Sequence, residues 1–558
     1  MELGLEETSG DERGVALGCE SDGSTGLELG DHVGAIGIVF CMESRLLAEG
    51  SAGVELGPEF GSDVAGASSD ALAAKVPAGK RRQFGKSAGR IKRARTVGID
   101  RAPALAFSHV CPAKPRVIAG ASTRCTASRA ETRAVARSMA ELFEWAHAAM
   151  SELVVRFGET AYQRLAHRRW RISTHFSGLG TVEVALAMLK AASPATLRGV
   201  LIADVISSCE LSPALRGVLG RRSHGCLFAN VFERIEMGEG SVPSLNEIDN
   251  ARVADTCTCQ MHGTDCRIQG ATMEVSGSSC RPWSRMNRGQ ARGVAHPDYQ
   301  AFKAWVQLMR HDSPPIIIHE NVVGFPLKIM EEELGDLFEV TRLSVTPDDV
   351  GFGFMSRQRV YDVLFLRGVV SGPDLREVYE VVVQRLRKDV RSWPDWVWKA
   401  TPGELTAELC SRCRPEESMG VDAWTASLTL DQQAYIARYS DRWTKARGSI
   451  PADDAHCVFD LSITPEFRGV HVGDVLPTMR RRAAAWWSPS RSRWMLPREK
   501  AACMGFPVYD DLARAARVPL DIETIGLIAG NACPIGNAMH VANVGVVMLA
   551  AMFAAAWQ

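Results

Sequence analysis

"RISTHFSGLGTVEVALAMLKAA" (residues 171–192) decides how the rest of the chain is read. Its first residues alternate as a strand does, and its second half repeats apolar residues at helical spacing. Between them, Gly178 and Gly180 permit a tight turn and let backbone approach a ligand at the N-terminus of the following helix. A plain strand-to-helix turn reads the same way. The dinucleotide fingerprint requires a third glycine three residues on, and Glu183 stands there, so NAD is disfavoured. The next unit, "GVLIADVISSCELSP" (199–213), ends an apolar strand at Glu210. An acid there is placed to accept hydrogen bonds from ribose hydroxyls, or to serve as a charge at a helix N-terminus.

From this point short β-branched runs alternate with helical ones, which predicts an α/β fold with a mainly parallel sheet. Upstream, "ETRAVARSMAELFEWAHAAMSELVVRF" (131–157) reads as one or two amphipathic helices. A chain of 558 residues has room for two or more domains with a substantial core. Its 46% hydrophobic content and net charge of -1 fit an ordinary soluble globular protein. Fifteen cysteines without a secretory pattern at the start predict reduced thiols inside a cell. "VANVGVVMLAAMFAAAW" (541–557) is interrupted by Asn543 and falls near the lower limit of a membrane span, so a buried closing helix is expected. Residues 1–70, rich in Asp, Glu, Gly and Ser, read as disordered. "KRRQFGKSAGRIKRAR" (80–95) then reverses the charge. It suits a bipartite nuclear signal, a phosphate-gripping tail or a solvated basic linker.

Five further stretches carry the chemistry. "SGSSCRPWSRMNRG" (276–289) sets Cys280 in a Gly, Ser and Pro turn beside Arg281, Arg285 and Arg288. This is either a surface turn or a loop presenting a nucleophile whose neighbouring cations favour thiolate. After it come "PPIIIHENVVGFP" (314–326), "SRQRVYDVLFL" (356–366), "PREKAACMGFP" (497–507) and "IGNAMHVANVGVV" (535–547). Together with the glycine turn and Glu210, this succession resembles the cytosine-carbon-5 methyltransferase family, which uses S-adenosylmethionine. The resemblance spans about residues 172–365 and 474–558, with an unmatched insert between them.

What the resemblance implies is specific. The fold would be a Rossmann-like S-adenosylmethionine-dependent methyltransferase domain with an inserted target-recognition domain. The chain would divide into a disordered extension (1–115), a helical lead-in (116–171), a catalytic segment (172–365), a recognition insert (366–473) and a returning segment (474–558). Cys280 would be the nucleophile that adds to carbon 6 of cytosine. Glu320, at the end of a very apolar strand where burial raises a carboxyl pKa, would act as the acid at nitrogen 3. Arg359 would contact the base's carbonyl oxygen, and Arg357 would support the loop or the cofactor. Phe176 would stack on the adenine of S-adenosylmethionine, with Gly178 and Gly180 beneath its amino-acid portion and Glu210 on its ribose. Asn230 holds the place of a usual aspartate near the adenine. Asn537 would help close the site, with Asn531 as a rival. The chain departs from the family at Ser279, where proline is usual, and at Met355 and Ser356, where a glutamine is expected. The implied partner is DNA with its target cytosine flipped out of the duplex, and the implied protein is a nuclear monomer without a membrane. RNA is the substrate in the family's tRNA-directed branch, and a catalytically silent relative binding nucleic acid or chromatin is the other alternative.

Two segments stay open. "QRLRKDVRSWPDWVWK" (384–399) places Arg385, Arg387, Lys388 and Arg391 before Trp393, Trp396 and Trp398. Cations and aromatics suit phosphate gripping and base stacking, and equally a small core with a solvated face. "CTCQMHGTDC" (257–266) offers Cys257, Cys259, His262 and Cys266 for tetrahedral zinc, although its Cys-x-Cys spacing is tight. A cysteine-rich loop without metal is the alternative. Cys410 and Cys413 form a lone Cys-x-x-Cys.

Overall fold

The glycine turn leaves an interior strand of a seven-stranded sheet in a computed structural model of the chain. In chain order the strands are β1 (Trp170–His175), β2 (Ala203–Cys209), β3 (Cys226–Phe228), β4 (Met273–Ser276), β5 (Ile316–Val322), β6 (Phe338–Val345) and β7 (Arg359–Leu366). Their spatial order is β6-β7-β5-β4-β1-β2-β3. Strand β7 runs antiparallel to both neighbours and the other pairings are parallel. The Rossmann-like α/β class expected from the sequence is therefore what the chain adopts. Strand order reverses between β1 and β4, the switch point where such sheets bind ligands beyond the strands' carboxyl ends.

The structure describes residues 133–193, 200–236, 243–284, 292–368, 372–412, 423–468, 474–480, 486–529 and 534–556. The N-terminal extension with its basic cluster, Arg285, Arg288, Asn531 and Cys413 lie outside the described residues.

The run "IIIHENV" is apolar because both faces of β5 are covered. Ile316 and Ile318 enter the larger core, while Ile317 enters the smaller one. Helices α1 (Trp145–Phe157) and α2 (Thr181–Ala191) supply one face. On the other lies α3 (Asp298–Asp312), through Phe302, Trp305 and Leu308. From the expected insert, α4 (Leu375–Leu386) joins the larger core through Val378, Val382 and Val383. A separate small core gathers Tyr439, Trp443, Phe459, Trp487 and Trp494. Glu499, fully buried, ties it to the returning segment. Its carboxylate takes both Arg493 guanidinium nitrogens (2.7 and 2.8 Å) and the backbone N–H groups of Leu496 and Ala400 (2.8 and 2.9 Å).

The tryptophan-rich stretch, which the sequence leaves open between a nucleic-acid grip and a small core, contributes to a core. Trp393 and Trp398 are buried, Trp393 stacking on Phe354 and donating to the Asp474 carbonyl, so neither is a platform for a base. Arg387, Lys388 and Arg391 pair with Asp349, Glu141 and Asp389, and these carboxylates already balance their charge.

The chain's most apolar helix, α5 (Val541–Ala555), is buried at every position, against α1, α2 and α4. With the turn before it, this is a stretch long and apolar enough to cross a membrane by length and composition, yet its most apolar 18 residues all lie inside the fold. Gly545 is required there because a Cβ would drive into the Trp145 ring. Gly545→Ala should lower the thermal midpoint of the full chain. Overpacking costs about 1–3 kcal/mol, which outweighs the roughly 1 kcal/mol that alanine gains over glycine in a helix. A midpoint that rises would show that Trp145 does not seat against this position.

Candidate active site

Beyond the buried strand β4 the chain emerges at Gly277, where a Cβ would stand 2.7 Å from Met539 Cε. The loop that follows is fixed by side chains from β5 and α3. Ser278 Oγ is hydrogen-bonded to His319 Nε2 (2.8 Å), and Asn321 Nδ2 donates to the Ser278 hydroxyl (3.1 Å) and carbonyl (3.4 Å). Burial, aided by Arg342, brings His319 down to about 3, so it is neutral. Ser279 donates to Asp298 Oδ2 at 2.5 Å, so a hydrogen bond restrains the loop without the ring of a proline. The Cys280 carbonyl then accepts N–H bonds from Trp283 and Ser284 (3.1 and 2.9 Å), which turns the backbone sharply behind the thiol.

Burial pushes the Cys280 thiol up; Arg359 and Arg357 pull it down and Glu320 opposes them, leaving it above the ordinary thiol value. Of the cations expected to act on it, Arg281 pairs with Asp298; among the described residues, the charges that lower Cys280 come from β7 and the residues just before it. Because β7 is antiparallel, its first residue, Arg359, lies opposite Val322 at the carboxyl end of β5. Arg359 Nε is 3.0 Å from Glu320 Oε1, and both side chains are largely buried. The expectation of a carboxyl governed by burial alone left out this ion pair. It also means that Arg359 has a protein partner before any base arrives. Arg357 is fully enclosed and donates to the carbonyls of Met479 (3.4 Å), Gly536 (3.2 Å) and Ala538 (2.6 Å). Burial lowers it to about 9, so it stays cationic at neutral pH.

On the other side of the switch point, Phe176 has φ +56°, a left-handed conformation that a non-glycine residue rarely adopts and that clusters at functional sites. Gly178 follows with φ +58°, and its N–H donates to Glu210 Oε2 (2.9 Å), while Ser212 N–H donates to Glu210 Oε1 (2.9 Å). Glu210 is thereby clamped across the turn, and each oxygen keeps lone-pair capacity for a further donor. Phe176, Gly178, Gly277, Glu320, Asn537 and Met539 line one narrow cavity.

Three expected site residues are placed otherwise. Gly180 faces protein, its missing Cβ leaving room for Arg222, Leu219 and Glu183, so its role is packing. Asn230 spends its side-chain oxygen on the Phe232 N–H (3.2 Å), capping the short helix Val231–Arg234, and does not line the cavity. In the cysteine-rich hairpin, Cys257 donates to Glu233 (3.4 Å) and leaves the cluster, whose fourth member is Cys226. The sequence reading missed His175 and Met539, which line the cavity too. Strand alternation accounts for the first and apolar patterning for the second, so neither gave a local signal.

No family model matches the chain, and no curated protein matches it. Among solved structures it is similar to a Dnmt2 methyltransferase from S. pombe, with 15% identity, a TM-score of 0.36, and 68% of this chain and 97% of that one covered. It is similar also to the methyltransferase EhMeth of Entamoeba histolytica, with 12% identity, a TM-score of 0.36, and 69% and 98% covered. The functional reading rests on the site itself.

A raised thiol pKa has a direct signature. Thiolate is the reactive form, so alkylation of Cys280 by iodoacetamide should climb steadily with pH and still be rising above about 8.5, the ordinary thiol value. Arg359→Ala removes the cation that most lowers this thiol and should slow alkylation several-fold at any given neutral pH. Mass spectrometry of the Cys280 peptide reads both. A plateau at or below neutrality would contradict the assignment.

Proposed function

We propose that the chain transfers a methyl group from S-adenosylmethionine to carbon 5 of cytosine in DNA, through a covalent bond from Cys280 to carbon 6. The observation that carries this reading is convergence: a half-buried thiol, a carboxylate and two arginines meet at the sheet's switch point beside a glycine turn clamped by an acid. The residues present fit the cofactor. A Cβ at Gly178 would meet nothing nearer than the Phe176 carbonyl at 3.8 Å, so the face over the turn is open to a ligand. Phe176, Gly178, Glu210 and Asn537 would hold it. When bound, it supplies an electrophilic methyl group on a sulfonium.

The chain's own residues act on the base. Carbon 5 of cytosine is a poor nucleophile until a thiolate adds to carbon 6 and pushes an electron pair toward nitrogen 3. Cys280 supplies the thiolate, with Arg359 and Arg357 favouring its charge. Glu320 faces nitrogen 3: its carboxylate takes the proton that the Cys280 thiol gives up and shares it with nitrogen 3 as the ring gains the electron pair, while Arg359 fixes its orientation. After methyl transfer, water takes the proton from carbon 5, the C–H electron pair re-forms the 5,6 double bond, and the Cys280 thiolate departs, which restores the ring. A duplex hides the reactive face, so the target nucleotide must be flipped out.

Trapping on 5-fluorocytosine tests this, because fluorine at carbon 5 cannot leave as a proton and the adduct persists. Full-length protein with S-adenosylmethionine should form a covalent adduct with substituted DNA, and Cys280→Ala should form none while binding the cofactor by calorimetry. Glu320→Gln should bind both ligands and lose roughly 100-fold in single-turnover methyl transfer, the scale of general acid catalysis. Adduct on substituted RNA alone would transfer the reading to RNA. No adduct on either polymer would replace it with the silent relative.

A further inference from the structure

Away from the cavity, a second group of reactive side chains meets at the edge of the sheet. Strand β3 is the outermost strand on that side. The turn joining the hairpin strands Thr256–Thr258 and Asp265–Arg267 docks on it: Gln260 N–H donates to the Leu227 carbonyl (2.7 Å), and Leu227 N–H donates to Cys259 Sγ (3.4 Å). This contact brings Cys226, at the start of β3, to Cys259, His262 and Cys266 of the turn, with all four ligand atoms within 4.8 Å of one another. His262 Nδ1 lies 3.1 Å from Cys266 Sγ and 3.9 Å from Cys226 Sγ.

We propose that Cys226, Cys259, His262 and Cys266 bind one zinc ion in a closed, tetrahedral, structural site. Zinc–sulfur and zinc–nitrogen bonds of about 2.3 and 2.0 Å place tetrahedral donors about 3.5–3.8 Å apart. The observed spread needs a contraction of roughly 1 Å at most to reach that geometry. Three sulfurs and one imidazole are soft and borderline donors, which select zinc over magnesium or calcium. Cys226 and Cys259 are buried, Cys266 is half-buried and His262 is exposed, so three thiols and an imidazole are drawn together at one point on the edge of the fold.

Position argues for a structural role. Cys226 begins β3, whereas the candidate active site lies beyond the carboxyl ends of the strands. Four protein ligands leave no open coordination position for chemistry. The metal would pin the turn over the unpaired edge of β3, the kind of edge that folded chains otherwise protect with charge or a covering loop.

Metal analysis of the full-length protein, purified from zinc-supplemented culture, decides the matter. The parent and Cys257→Ser should each hold about one zinc per chain. Cys226→Ser and Cys259→Ser should each lose at least about four-fifths of it, since a structural site closes only with its full ligand set. Should those two variants fail to fold, the parent alone still answers. Its cobalt-substituted form should show intense tetrahedral bands with sulfur-to-cobalt charge transfer, and zinc X-ray absorption should fit three sulfurs and one nitrogen. A parent without zinc, octahedral cobalt, or metal lost from Cys257→Ser but kept by Cys226→Ser would each overturn the site.

Discussion

A buried guanidinium holds this fold to one arrangement. Removing Arg357 from water costs several kcal/mol unless its donors are satisfied. Its two terminal nitrogens, Nη1 and Nη2, donate to three carbonyls that belong to residues 122, 179 and 181 positions further along the chain. Only when the returning segment has come back across the sheet are those carbonyls in place. Gly536 and Ala538 flank Asn537, and Asn537, Ala538 and Met539 form one wall of the candidate cofactor cavity. Closing the fold and building the cavity are therefore a single event, and Arg357 serves both.

The candidate active site balances opposing terms. Burial disfavours a charged thiol at Cys280, two arginines favour it, and Glu320 opposes them. The balance leaves a thiol that is mostly protonated at rest, which protects it from adventitious oxidation. The Arg359–Glu320 pair moderates both partners: each charge has a neighbour at 3.0 Å, so neither is buried alone. A base entering the site would compete for this arginine, which couples substrate binding to the environment of the carboxylate. The loop itself is held from outside by Asp298 and from inside by His319 and Asn321. Ser279, without the rigidity of a proline, therefore still leaves Cys280 anchored.

The sequence alone determined whatever depends on neighbours a few residues apart. The strand–glycine turn–helix unit of residues 171–192, the apolar strand ending in Glu320, the Cys280 turn and the closing helix were all legible, because alternation and helical spacing are local properties of the chain. Tertiary structure decided whatever depends on which distant segments meet. Between a nucleic-acid grip and a small core, two of the tryptophans, Trp393 and Trp398, went inward, because a core needs large apolar side chains, and acids of other segments pair Arg387 and Lys388. Glu320 acquired Arg359 only through the antiparallel register of β7. Cys257 and Cys226 exchanged roles because β3, whose Cys226 lies 36 residues before His262, supplies the surface on which the hairpin turn docks. Local periodicity reports which face of an element is buried, but it carries no information about which partner buries it, and at each of these sites the partner fixes the chemistry.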